Sequence, residues 1–155
     1  MASTVEPALD GLYQYLTTTP GLTSADGVTV RSGDVGPAEI GTGDYIVFGA
    51  LVGILETREG LARRPEQITV SGHVAVVRPG GDEPAIQTTR ARVGQLYGLL
   101  RAAVEGIPTS GAIPSLGGLS MTASSLTQTP AVLAGGEVAG RRAERAFTLT
   151  WTSDT

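Results

Sequence analysis

Apolar positions in this 155-residue chain fall into blocks of two different periods, and the blocks predict its elements. In "TVEPALDGLYQYLTTTPG", Val5, Leu9, Leu12, Tyr13 and Leu16 recur at the spacing of one helix face, with Thr4 placed as N-cap, Pro7 in the first turn and "TPG" at 19–21 as the stop. The runs "VTVRSG" (28–33) and "YIVFGALV" (45–52) read as strands from their β-branched and aromatic content, joined by a Gly/Pro-rich loop to Asp44. In "QITVSGHVAVV" (67–77) the period is two. Ile68, Val70, Gly72, Val74 and Val76 share one face, expected in the core, while Thr69, Ser71, His73, Ala75 and Val77 share the other.

The clearest helical pattern is "AIQTTRARVGQLYGLLRAAVEGI" (85–107). Ile86, Val93, Leu96, Tyr97, Leu100 and Val104 form its apolar stripe, Arg90, Arg92, Gln95, Arg101 and Glu105 lie mostly outside it, and Gly106 marks the expected stop. Asp82 and Glu83 precede it, where negative charge meets the positive end of the helix dipole. Strands are expected at 119–129 and 143–153, the second alternating Phe147, Leu149 and Trp151 with Thr148, Thr150 and Thr152. Between these elements lie 53–66, a charged loop or hairpin tip, the Gly/Pro/Ser-rich loop 107–118, and the flexible stretch 130–142.

The order α-β-β-β-α-β-β, with antiparallel hairpins expected between consecutive strands, carries one apolar stripe per helix, so one sheet face suffices to cover both. The pattern predicts an α+β fold: a mostly antiparallel β-sheet with two helices packed on one face and long loops, in a single domain spanning 1–155. A composition of 41% apolar and 17% charged residues agrees with a packed core, and 22 glycines with much loop.

Charge and chemistry narrow the function classes. The chain has no cysteine, which removes disulfides, thiolate metal sites and thiol nucleophiles. The N-terminus has neither a basic n-region nor an apolar h-region, and no apolar run approaches the roughly 20 residues of a membrane span, so we expect a soluble, unexported protein without a membrane partner. A net charge of −4 argues against affinity built on neutralising phosphates. Its distribution is uneven: residues 1–57 hold seven acids and one base, and residues 58–155 hold eight acids and ten bases. Every base is arginine, a bias that either paired interface contacts or a GC-rich genome would produce.

His73, the single histidine, has no GxSxG serine or cysteine to activate. "PGG" (79–81) and "LGG" (116–118) match no phosphate cradle, and the chain has no lysine, so both read as turns. No catalytic residue, metal or cofactor is expected. Glu56, Arg58, Glu59, Arg63 and Arg64 form either a solvated loop or an interaction tip, and the same two readings apply to Arg141, Arg142 and Arg145 beside the last hairpin.

Across nearly the whole chain, "ALDGLYQYLTTTPGL", "GVTVRSGDVG", "DYIVFGAL", "QITVSGHVAVVRPGGDEPAIQTTRARVGQLYGLLRAAV" and "GRRAERAFTLTW" resemble, in order and in soft motifs, the tail terminator (tail completion) proteins of long-tailed, siphovirus-like bacteriophages. The resemblance implies a structural, non-enzymatic virion protein. Such a protein forms a hexameric ring on the head-proximal end of the tail tube, stops tube polymerisation and offers a docking surface to the head connector. It implies as partners further copies of the chain, the tail tube protein and a head-completion or connector protein, with DNA passing through the ring without specific binding. Assembly would take place in the host cytoplasm. The candidate interface residues are then Glu56, Arg58, Glu59, Arg63, Arg64, Arg141, Arg142 and Arg145. Two other expectations stand beside this one: a different head–tail joining or minor tail protein, or a small-molecule-binding or enzymatic α+β domain using His73 with Glu56 or Glu59.

Overall fold

A computed structural model describes residues 5–33, 42–56, 65–80, 82–110, 117–132 and 139–154. Its strands are β1 (Val28–Ser32), β2 (Gly43–Glu56), β3 (Pro65–Pro79), β4 (Gly117–Val132) and β5 (Ala139–Asp154), and its helices are α1 (Val5–Thr18) and α2 (Glu83–Ser110). The strands form one sheet in the order β1-β2-β3-β5-β4. Only β1–β2 is parallel; the other three pairings are antiparallel. Hence β1, β2 and β5 run one way, and β3 and β4 the other.

Both helices cover the same face, so the fold is α+β with a mostly antiparallel sheet, as the pattern predicts. Ala8, Leu12 and Leu16 of α1 and Val93, Leu96, Leu100 and Val104 of α2 join Ile46, Phe48, Ile68, Val70, Val74, Phe147, Leu149 and Trp151 in one buried cluster. Each fully buried aliphatic or aromatic side chain there contributes about 1.5–3 kcal/mol of transfer free energy. The period-two pattern of β3 holds on this side, where Ile68, Val70, Val74 and Val76 are fully buried. Asp82 caps α2 as its position suggests, its Oδ1 accepting from the Ala85 N–H at 3.1 Å.

Gly72 breaks the apolar row of β3 for a steric reason. It lies directly opposite Phe147 in β5. A Cβ on Gly72 would meet ring atoms of Phe147 at 2.6 and 2.9 Å and would press on the Val47 carbonyl oxygen. The glycine is the hole into which that ring packs. A second glycine has a backbone reason: Gly49, at φ 86°, sits where the β2–β3 register slips between Phe48 and Leu51, a bulge that favours the left-handed region.

The structure departs from the sequence pattern in four places. First, β1 and β2 pair in parallel instead of forming a hairpin, which sets Val28 and Val30 level with Asp44 and Ile46 on the helix side. Second, the strands run longer than their apolar alternation: β2 continues to Glu56, β3 begins at Pro65, β4 extends to Val132 and β5 begins at Ala139. Arg141 and Arg142 are therefore strand residues and not part of a flexible stretch, because pairing with Pro130 and Thr129 continues where no apolar signal marks it. Third, α2 runs through Gly106 to Ser110. Fourth, burial is not confined to the face of β3 expected in the core, since Ala75 and Val77 are buried on the other face, as is Val47 of β2. The expected N-cap Thr4 and the connections 57–64, 111–116 and 133–138 lie outside the described residues.

Between α1 and β1 a short 3-10 turn, Ser24–Asp26, is locked by Asp26. Its carboxylate accepts from the Thr23 hydroxyl at 2.6 Å, the Thr23 N–H at 3.2 Å and the Gly21 N–H at 3.0 Å. These bonds, the Thr23 hydroxyl first, hold its pKa below the ordinary carboxylate value. No helix among the described residues is long and apolar enough to cross a membrane.

Candidate functional site

Strand directions separate the charged candidates to the two ends of the sheet. The chain leaves β2 at Glu56 and re-enters β3 at Pro65 at one end, and leaves β4 at Val132 and re-enters β5 at Ala139 at the other. With strands of 14–16 residues, these hairpin ends stand about 50 Å apart. Glu56 pairs in register with Glu66 at the first end. Arg58, Glu59, Arg63 and Arg64 belong to the connection outside the described residues. Ile54, next to that end, is 50% exposed; it pairs with Ile68 of β3, and among the described residues β1 stops at Ser32, level with Phe48, and does not flank this part of β2.

Arg141, Arg142 and Arg145 occupy the other end, but alternation along β5 gives them different tasks. Arg142 lies on the face away from the helices, where its Nη2 holds Glu144 Oε2 at 2.9 Å. The other oxygen of Glu144 lies 3.8 Å from His73 Nδ1. The β3–β5 register, which no local pattern reports, places Glu144 diagonally across from His73. At 3.8 Å this is too long for a hydrogen bond, and with all three side chains partly exposed the contact contributes at most about 1 kcal/mol. Glu56, the acid proposed to work with His73, pairs with Glu66, seven residues and about 23 Å along β3, so that combination does not assemble. Among the described residues, no three His, Asp or Glu side chains are grouped to hold a metal.

Arg145 faces the helices. Its guanidinium carbon sits 4.0 Å from the centroid of the Tyr97 ring, a cation–π stack within the α2–β5 packing. It shares a face with Ala143 and Phe147, and is a bracing residue more than a surface contact. Arg141 also faces α2, where it lines a cavity of about 170 Å³ with Ile86, Thr89 and Gln128.

Sequence reasoning missed the tightest charged cluster. Asp44, at the start of β2, is 5% exposed and holds two arginines: Arg78 Nη2 on Oδ1 at 2.5 Å and Arg92 Nε on Oδ2 at 2.8 Å. Arg92 also donates to Gln95 at 2.8 Å. One carboxylate thus ties β2, the end of β3 and α2 together beside the arginine end. The signal was present in the alternation: Asp44, Ile46 and Phe48 fall on one face, so a core-facing acid needs cationic partners from elsewhere.

No protein-family model matches the chain, and no curated protein matches it. Function is therefore read from fold and geometry.

Proposed function

We propose that this chain is a structural virion protein of a long-tailed bacteriophage, a tail terminator that caps the head-proximal end of the tail tube as a hexameric ring. On this reading it stops tube polymerisation, docks the head connector and performs no catalysis. The observation that carries the proposal is the opposed pair of hairpin ends on one braced sheet. A ring subunit between a tube and a connector needs contact surfaces at both axial ends and a rigid body between them. Here the candidate residues divide between the ends, with Glu56 at one and Arg141 and Arg142 at the other. The Asp44 cluster and the Arg145–Tyr97 stack stiffen the arginine end. The sequence resemblance across nearly the whole chain supports the same reading.

Electron microscopy of phage made without this protein tests it. Tails of abnormal length that fail to join heads are expected. Normal-length tails joined to heads would overturn the proposal, while normal-length unjoined tails would move the protein to another joint of the head–tail connection.

A further inference from the structure

The sheet has two free edges among the described residues, and they differ in kind. Strand β4 offers a long one, with no acidic or basic residue along its 16 positions. Proteins usually protect such an edge with charge, proline or shortness, and β4 has only Pro130 near its end. Leu126 stands half-exposed on it, at 48%. Its neighbour in the ladder is Arg145, which faces α2, so Leu126 lies on the helix side. At the opposite edge, α1 and β1 flank an open groove of about 460 Å³, lined by Tyr13, Thr17, Leu22, Val30 and Arg31. Tyr13, another exposed large apolar residue at 36%, forms part of its wall.

We propose that β4 of one copy pairs with β1 of a second copy, continuing the sheet from subunit to subunit, with Leu126 entering the α1–β1 groove. The strand directions permit this. Because β4 runs opposite to β1, a rotation about an axis along the strands brings them together antiparallel and keeps every helix layer on the same side. The levels agree as well. Following the registers across the sheet, Val30, Ile46, Val74, Arg145 and Leu126 stand in one row, and Thr29, Tyr45, Ala75, Glu144 and Thr127 in the next. Rotation without axial shift therefore sets Leu126 opposite Val30, a residue that lines the groove, and Thr127 opposite Thr29. Pairing β4 with its own copy would leave that groove uncovered. The contact is heterologous, the kind that closes rings. It rests on the ring reading and names the surface that would build it.

The cysteine-free chain makes the test direct. Thr127→Cys and Thr29→Cys are prepared separately, mixed, and treated with a short bismaleimide, with Arg31→Cys as a second β1 variant on the same face. Folding of each is checked by the fluorescence of buried Trp151. The expected result is a covalent dimer from the mixture and none from either variant alone. A product from Thr127→Cys alone would mean β4–β4 pairing, and no product from either mixture would remove the edge assignment; both overturn the proposal. Native mass spectrometry of the unaltered protein counts copies independently. A six-copy assembly without the cross-link leaves the ring reading standing and removes the edge, whereas the cross-link in an assembly of another number keeps the edge and removes the hexamer. Leu126→Lys is expected to weaken assembly about tenfold or more, since it places a charge in an apolar groove. An unchanged assembly midpoint would count against the proposed contact.

Discussion

Gly72→Ala tests the packing of the central sheet with a single methyl group. Its Cβ would stand 2.6 and 2.9 Å from Phe147 ring atoms, against an ordinary carbon–carbon contact of about 3.5–4.0 Å. A ring at the end of a loose side chain would swing aside. Phe147 is 2% exposed and enclosed by the helix layer, so it has little room to do so. The Val47 carbonyl belongs to the β2–β3 ladder and can move only with its strand. Overpacking of this kind costs about 1–3 kcal/mol, and the backbone component places this site at the upper end. Removing a glycine from the unfolded chain returns about 0.4–1 kcal/mol. The net expectation is a loss of about 2 kcal/mol. Urea unfolding followed by Trp151, the single tryptophan and 1% exposed, reads the same sheet. With a slope of about 1.5–2 kcal/mol per molar, the midpoint falls by about 1 M. Adding Phe147→Leu is expected to recover only the ring's share of the loss. A Gly72→Ala protein within 0.5 kcal/mol of the parent would refute the packing account.

Three further predictions use the same unfolding assay. Asp44→Ala leaves Arg78 and Arg92 facing each other without a counter-charge; the 3–5 kcal/mol typical of a broken buried pair is reduced to about 2–3, since the two arginine side chains remain 32% and 23% exposed, and a loss below 0.5 kcal/mol would contradict the bracing role. The Arg145–Tyr97 stack predicts a coupling of about 1 kcal/mol in a cycle of Arg145→Gln and Tyr97→Leu, and additivity would show that the contact carries no energy. Asp26 has its pKa lowered in the folded state, so its contribution is present above the ordinary value of 3.8 and is lost as pH falls through the folded value. The stability gap between the parent and Asp26→Asn is therefore expected to be flat near neutrality and to close below about pH 3.8; a gap that widens in acid would reverse the sign and the account.

What the sequence made legible follows from where each signal is local. The alternation in 67–77 and 143–153 identifies β3 and β5 and their core faces because both strands are central and covered by helices along most of their length. Strand ends escape because pairing, and not burial, sustains them: Pro130, Ala131 and Val132 lie beyond the expected end of β4, and Gly140, Arg141 and Arg142 before the expected start of β5, yet each pairs across the two strands. Parity also held information that residue type obscured. Arg145 was grouped with surface arginines although it alternates with Ala143 and Phe147, and a long cation on a core face lays its stem inward and finds a ring or an acid. The Glu144–His73 contact had no local signal, since it depends on how β3 and β5 align.

The two sheet ends differ in physical character, and this yields a last expectation under the ring reading. At the β4–β5 end, Arg141 and Arg142 stand on the scaffold fixed by Asp44, Arg78 and Arg92, so any contact made there has a large electrostatic part. At the β2–β3 end, Ile54 is half-exposed beside its partner Ile68, and a contact seated on it buries apolar surface, whereas one that reaches the connection meets Arg58, Glu59, Arg63 and Arg64. Salt separates the two kinds, because the screening length falls from about 10 Å at 0.1 M to about 3 Å at 1 M while apolar burial is not screened. Raising salt across that range is therefore expected to weaken a partner held at the β4–β5 end more than one seated on Ile54. Arg142→Gln would remove the salt-dependent binding and Ile54→Ser would weaken the salt-resistant one, by about tenfold each if the side chain is central to its contact. Loss of both partners at the same salt concentration would mean that the two ends do not divide the work as their chemistry suggests.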